Sequence, residues 1–178
     1  MPDPADLLAA ARLLLSAGAL NPPSEAQLRR AVSTAYYAVF HKVVRVGAER
    51  LMGIGSQNTA GYGLIYRSFN HGRMKSVCEA LNVARLSKTL QQQLGCTAVS
   101  PEMRGFAAAF AALQEARHFA DYDPSIRFSL SDATNFVEAA EAAMATFDAI
   151  APGEQADILA LDASATGLTR RRCVAHGV

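Results

Sequence analysis

Long hydrophobic runs are missing from this chain of 178 residues, and so is any run in which β-branched and polar residues alternate. A membrane-spanning helix needs about 20 consecutive apolar residues, so no membrane span is expected. The lack of alternation, beside plentiful alanine, leucine and glutamine, leaves an all-α class. Neither sign of charge is in excess: 17 Lys and Arg stand against 16 Asp and Glu, a net charge of +1. That balance predicts neither a broad nucleic-acid surface nor an acidic tail, so any nucleic-acid contact must be local. Cysteine is scarce. Cys78, Cys96 and Cys173 are odd in number and contain no CxxC pair, which excludes a disulfide framework or a zinc knuckle. The four histidines, at 41, 71, 118 and 176, contain no HxxxH spacing, so neither a metal site nor a cofactor is expected. The apolar run LLAAARLLLSAGAL is preceded by Asp3 and Asp6 and interrupted by Arg12, whereas a secretory signal carries positive charge before its apolar core. The expectation is a soluble, cytoplasmic protein.

The length suits one domain with a sizeable core. Asp3 and Pro4 open a first helix that Gly18 ends. Asn21-Pro22-Pro23 is a hard break. Ser24 then caps a second helix, with Gln27 completing a capping box, and this helix runs to about Leu51, roughly 40 Å at 1.5 Å per residue. Residues 53–70 hold four glycines and no sustained period, and read as a long, mobile loop. Those glycines match neither GxGxxG nor a P-loop. A third helix is expected over 72–93, stopping at Gly95. Ser100-Pro101-Glu102 opens a fourth, which Asp123-Pro124 ends; Ser131 or Asp132 starts a fifth, with Phe136, Ala140, Ala143, Phe147 and Ile150 on one stripe. The period fades after Ala151-Pro152-Gly153. The domain division is therefore an up-and-down bundle of four or five helices over 1–152 and a polar tail over 153–178, with a short helix placed around 154–162.

Two stretches carry the chemistry. In the second helix, Leu28, Val32, Ala35, Tyr36, Val39, Val43 and Val46 form a core stripe. Beside it lies a flank of Arg30, Ser33, Tyr37, His41 and Val44, while Thr34, Ala38, Lys42 and Arg45 are left for solvent. The plain reading is that Tyr36 and Phe40 fill the core while Tyr37 and His41 satisfy each other at its edge. In the fourth helix the stripe Met103, Phe106, Phe110, Leu113 leads at helical spacing to Arg117 and then Asp121. Charges placed where the pattern calls for core must pair, meet a partner chain or line a cleft. His118 and Tyr122 fall on the adjacent flank.

STAYYAVFH (33–41) followed downstream by LQEARHFADYDP (113–124), with NHGRMKSVCEAL (70–81) between them, resembles the HEPN superfamily of helical-bundle proteins, and is most similar to its small bacterial stand-alone members. The likeness covers about residues 5–150. It implies a homodimer. It also implies RNA as the ligand, because many active members are metal-independent ribonucleases with an Arg-x4-6-His motif, often toxins paired with an antitoxin protein. Members without the motif act as RNA-binding or protein-interaction modules. Here Arg117 takes the arginine position, but Tyr122 stands where the first permitted histidine would be, and the nearest histidine is His118. Arg170 and Arg171 precede His176 at suitable spacing, but in the tail.

Three readings remain open. In an enzyme, His41, His118 and Arg117 would move the 2′-hydroxyl proton and steady the phosphate, with Arg30, Ser33, Tyr37, Asp121 and Tyr122 positioning the RNA. In a dimeric binding module, Arg117–Asp121 and Tyr37–His41 form a polar network that fixes helix register. In a third, a nucleotide or other small molecule sits beneath the glycine-rich segment 53–70.

Overall fold

A computed structural model describes residues 2–16 and 22–164. Gly18, Asn21, Arg170, Arg171, Cys173 and His176, to which the sequence reading gave roles, lie outside the described residues. Eight helices and no strand occur among the residues described: α1 Pro4–Leu15, α2 Glu25–Met52, α3 Ala60–Ser68, α4 His71–Leu81, α5 Lys88–Leu94, α6 Pro101–Tyr122, α7 Leu130–Ala149 and α8 Pro152–Ser164. The all-α bundle expected from the pattern is present.

Its long helices begin where capping chemistry places them. The Ser24 hydroxyl accepts from the Gln27 amide while the Gln27 side chain accepts from the Ser24 amide, closing the capping box at the head of α2. Ser100 caps α6 with Pro101 in its first turn, and Ser129, two residues earlier than expected, caps α7 in a box with Asp132.

Cross-chain contacts set the directions. Arg45 near the end of α2 pairs with Asp3 at the head of α1, so those two helices are antiparallel. Arg29 near the start of α2 meets the end of α6, again antiparallel, whereas Lys42 meets Asp148 at the end of α7. The order α1, α2, α6, α7 thus alternates up and down. Helix α2 lies in the middle, packed on α1, α6 and α7, with α3 and α8 also against it. This overturns one expectation: Ala38, assigned to solvent, is fully buried, because α2 is covered on more than one face.

Two further expectations are corrected. Residues 53–70 are not one loop, since α3 occupies 60–68. The Thr59 hydroxyl accepts from the Tyr62 amide, and Tyr62 buries itself. Gly61 lies close to the Met52 methyl, which would have to swing aside for a Cβ there. The helix expected over 72–93 is two. Helix α4 stops at Leu81, Leu86 drops into the core with its amide donating to the Thr97 carbonyl, and Ser87 caps the short α5.

Past Ala151, where the sequence period fades, α8 buries Ile158 and Leu159 against the bundle. Gly47 on α2 allows this approach, for a Cβ would meet Phe69 at 2.7 Å and Leu159 at 2.9 Å. Asp162 is buried (1% exposed), its carboxylate 3.7 Å from Arg73 of α4, and burial raises its pKa. The Cys78 thiol, also buried, is pushed up by desolvation and then by Asp162.

The end of α6 is held by one side chain that the sequence reading passed over. Arg29 donates to the carbonyls of Phe119 (2.9 Å), Ala120 (2.9 Å), Asp123 (2.6 Å) and Ile126 (2.7 Å). Carbonyls in a last helical turn have no intrahelical partner, so this guanidinium acts as a C-terminal cap from another helix. Arg29→Ala should destabilise the protein by about 3 kcal/mol, since charged hydrogen bonds contribute about 1.5–3 kcal/mol each and some of these carbonyls can be rehydrated. Arg29→Lys should recover only part of this, because an ammonium lacks the planar fork. Urea denaturation of the three proteins checks both statements.

Candidate functional site

Antiparallel packing of α2 against α6 brings Tyr37 to Arg117. The tyrosine hydroxyl accepts from Nη2 at 2.5 Å, and Nε lies 2.8 Å from Asp121 Oδ2. That Nε–H does not point at the Asp121 oxygen, so the contact is one of charge proximity rather than an aligned bond. The guanidinium carbon also sits 5.3 Å from the Tyr37 ring centre and 5.4 Å from that of Tyr122, placing the cation between two aromatic groups. The Arg117 side chain is 13% exposed and that of Asp121 22%. The charges that broke the apolar stripe are therefore satisfied within one chain, at the rim of the core.

From Tyr37 the cluster extends toward α3 and α4. His41 stacks on Tyr37 at 6.1 Å and 25°, without bonding to it as the sequence reading had supposed. Its Nδ1 is instead 2.5 Å from the hydroxyl of Tyr66 on α3. Tyr36, fully buried, places its hydroxyl 2.8 Å from Nδ1 of His71, the first residue of α4. The His71 ring packs on Phe40 at 3.9 Å and edge-on to Tyr37 at 5.6 Å.

Charge states follow from these surroundings. Burial raises both phenols, Tyr66 to about 12, so each keeps its proton. Desolvation lowers both imidazoles. His71 falls to about 4, helped by the positive charge of Arg117, and a place at a helix N-terminus acts in the same direction. Each hydroxyl is paired with Nδ1 of a neutral ring, and which of the two donates the shared proton is set by the histidine tautomer.

The other expected site residues lie apart. His118 is exposed, and its ring contacts are with Phe119 and Tyr122 of its own helix. Arg30 is exposed, whereas Ser33 is fully buried with its hydroxyl unpartnered. Tyr37, His41, Arg117, Asp121 and Tyr122 are brought together, but His41 and His118 are not. The structure adds Tyr66 and His71. Tyr66 was hidden in the glycine-rich stretch; His71 had a signal, the Asn70 cap before it, but nothing in the sequence ties it to Tyr36. A shallow groove of about 440 Å³, lined by Glu25, Arg29, Asp121, Tyr122, Pro124 and Arg127, opens beside this end of α6. Among the described residues no group of three or more His, Cys, Asp or Glu is placed to hold a metal ion, and no helix is long and apolar enough to cross a membrane.

Two outcomes follow from this geometry. Arg117→Ala should cost about 2 kcal/mol, above the ~1 kcal/mol of an exposed pair but below the ~3–5 kcal/mol of a fully buried one, because Asp121 keeps some solvent. The second concerns pH. With His71 near 4 in the folded chain and near 6.5 unfolded, the unfolded state takes up a proton first as pH falls. Stability should thus be full above about pH 6.5 and decline toward pH 4, with His41 contributing in the same sense; His71→Gln should flatten the slope in thermal melts. Comparisons of the chain with family models, with curated proteins and with solved structures find no match.

Proposed function

We propose that the chain is a HEPN-like helical-bundle module that binds RNA at the end of the bundle where α2 meets the last turns of α6, and holds it without cleaving it. The observation that carries this reading is the pairing of both clustered imidazoles with tyrosine hydroxyls. Metal-free RNA cleavage needs a group to take the 2′-hydroxyl proton. Nδ1 of each ring is already engaged by a tyrosine hydroxyl, and desolvation keeps both rings neutral. Arg117 is likewise engaged by Tyr37 and Asp121, and exposed His118 stands apart from His41.

The remaining features suit binding. Tyr122 is 64% exposed and lies on the groove with Arg127, while Arg30 offers a second exposed cation on α2. Single-stranded RNA is held by stacking unpaired bases on aromatic rings and by local phosphate contacts, which fits a chain of net charge +1.

Labelled single-stranded RNA in EDTA tests this by anisotropy and denaturing gel. The expected result is salt-sensitive binding with the RNA intact. Tyr122→Ala should weaken binding about tenfold, since base stacking is worth about 1–3 kcal/mol. Fragments that vanish with His41→Ala would establish a ribonuclease instead, and absence of binding would reject the RNA reading.

A further inference from the structure

Helix α8 is held differently at its two ends. At its start, Arg50 of α2 donates to the Pro152 carbonyl (2.8 Å) and to the Gln155 side chain (2.6 Å). Gln155 donates in turn to the Phe147 carbonyl of α7 (2.6 Å), and Glu154 accepts from the Ser100 amide at the head of α6 (2.8 Å). These bonds tie residues 152–155 to α2, α7 and α6. Toward the far end the hold changes in kind. Ile158 and Leu159 are buried, and Asp162 faces Arg73 of α4.

That last contact is incomplete. Asp162 is buried, yet its Oδ1 stands 3.7 Å from Arg73 Nε, and neither atom has a hydrogen-bond partner among the described residues. A buried ion pair offsets its loss of water only when its hydrogen bonds are aligned, so this one holds weakly. A firm start and a weak far end make a hinge and a latch.

The latch bears on the corner between α3 and α4. Leu159 and Phe69 both close on Gly47 of α2, where a Cβ would lie 2.9 Å from the leucine and 2.7 Å from the phenylalanine ring. Arg73, besides facing Asp162, donates from Nη2 to the Ser68 carbonyl at the end of α3 (2.9 Å). Phe69 and Asn70 join the two helices, and Asn70 caps α4 through the Gly72 and Arg73 amides. On either side of this corner stand Tyr66 and His71, the partners of His41 and Tyr36. With α8 lifted, Phe69 loses its neighbour at Gly47 and Arg73 loses its counter-charge.

We infer that α8 is a hinged strap, latched at Leu159 and Asp162, whose opening loosens the α3–α4 corner and with it both tyrosine–histidine pairs. None of these contacts involves the residues of the groove at Tyr122, so the coupling holds whether or not RNA binds there.

Native-state hydrogen exchange on the whole protein, resolved by peptide mass spectrometry, tests this. In the wild type, residues 158–162 should exchange at least about tenfold faster than the middle of α6 and α7. Arg73→Met combined with Asp162→Leu replaces the pair by apolar groups and should slow 158–162 about tenfold. Gly47→Ala crowds Phe69 and Leu159 together and should speed both 158–162 and 66–74 about tenfold, with α6 and α7 unaffected. Leu159→Ala removes atoms instead of adding them and should have the same effect, so it reads the coupling even if Gly47→Ala prevents folding. Exchange of 158–162 in step with α6 and α7 overturns the strap. Faster exchange of 158–162 in the double variant overturns the latch. In Gly47→Ala or Leu159→Ala, faster exchange at 158–162 with 66–74 unmoved overturns the coupling.

Discussion

Everything in this molecule is arranged around a helix whose middle, residues 31–44, has no free side. Helix α2 packs against α1, α6 and α7 and is touched by α3 and α8. A helix so enclosed needs small residues where neighbours approach, and Ala31, Ala35, Ala38, Gly47 and Ala48 supply them. It also needs any polar group it carries to find a partner on another element. Arg29, Tyr36, Tyr37 and His41 each do so, on α6, α4, α6 and α3 respectively. The site is thus the place where the enclosed helix discharges its polar side chains. Ser33, buried with no partner, is the exception.

Much of the fold could be read from residue patterns because it depends on local chemistry. Ser24 with Gln27, Ser100 with Pro101, and Asp123-Pro124 mark helix ends through groups within a few residues of one another. What the pattern missed depends on distant groups. Helix α3 forms in a stretch whose glycines argue against it, because Thr59 caps it and Tyr62 gains a buried place. The break between α4 and α5 falls inside a run whose apolar period continues in phase, and is set by Leu86 meeting Thr97.

The site divides the same way. Arg117 and Asp121 stood out because they violate a stripe, and the structure explains them by Tyr37 and Tyr122. His71 and Tyr66 were invisible as site members, since their partners lie 35 and 25 residues away. Arg29 and Arg30 are neighbours in sequence with opposite fates: the one not singled out caps α6, and the one singled out is exposed. A rotation of 100° along a helix separates them.

The buried Cys78 thiol makes α4 reportable in a way the tyrosines and histidines are not. Only a thiolate reacts with an alkylating reagent, and this sulfur is both inaccessible and held protonated beside Asp162. Its labelling must wait for α4 to come away from the core, so the rate under native conditions is a clock for that opening rather than for the chemistry of the thiol. A natural probe is thereby built into the inner face of α4, and no engineered label is needed to time its breathing.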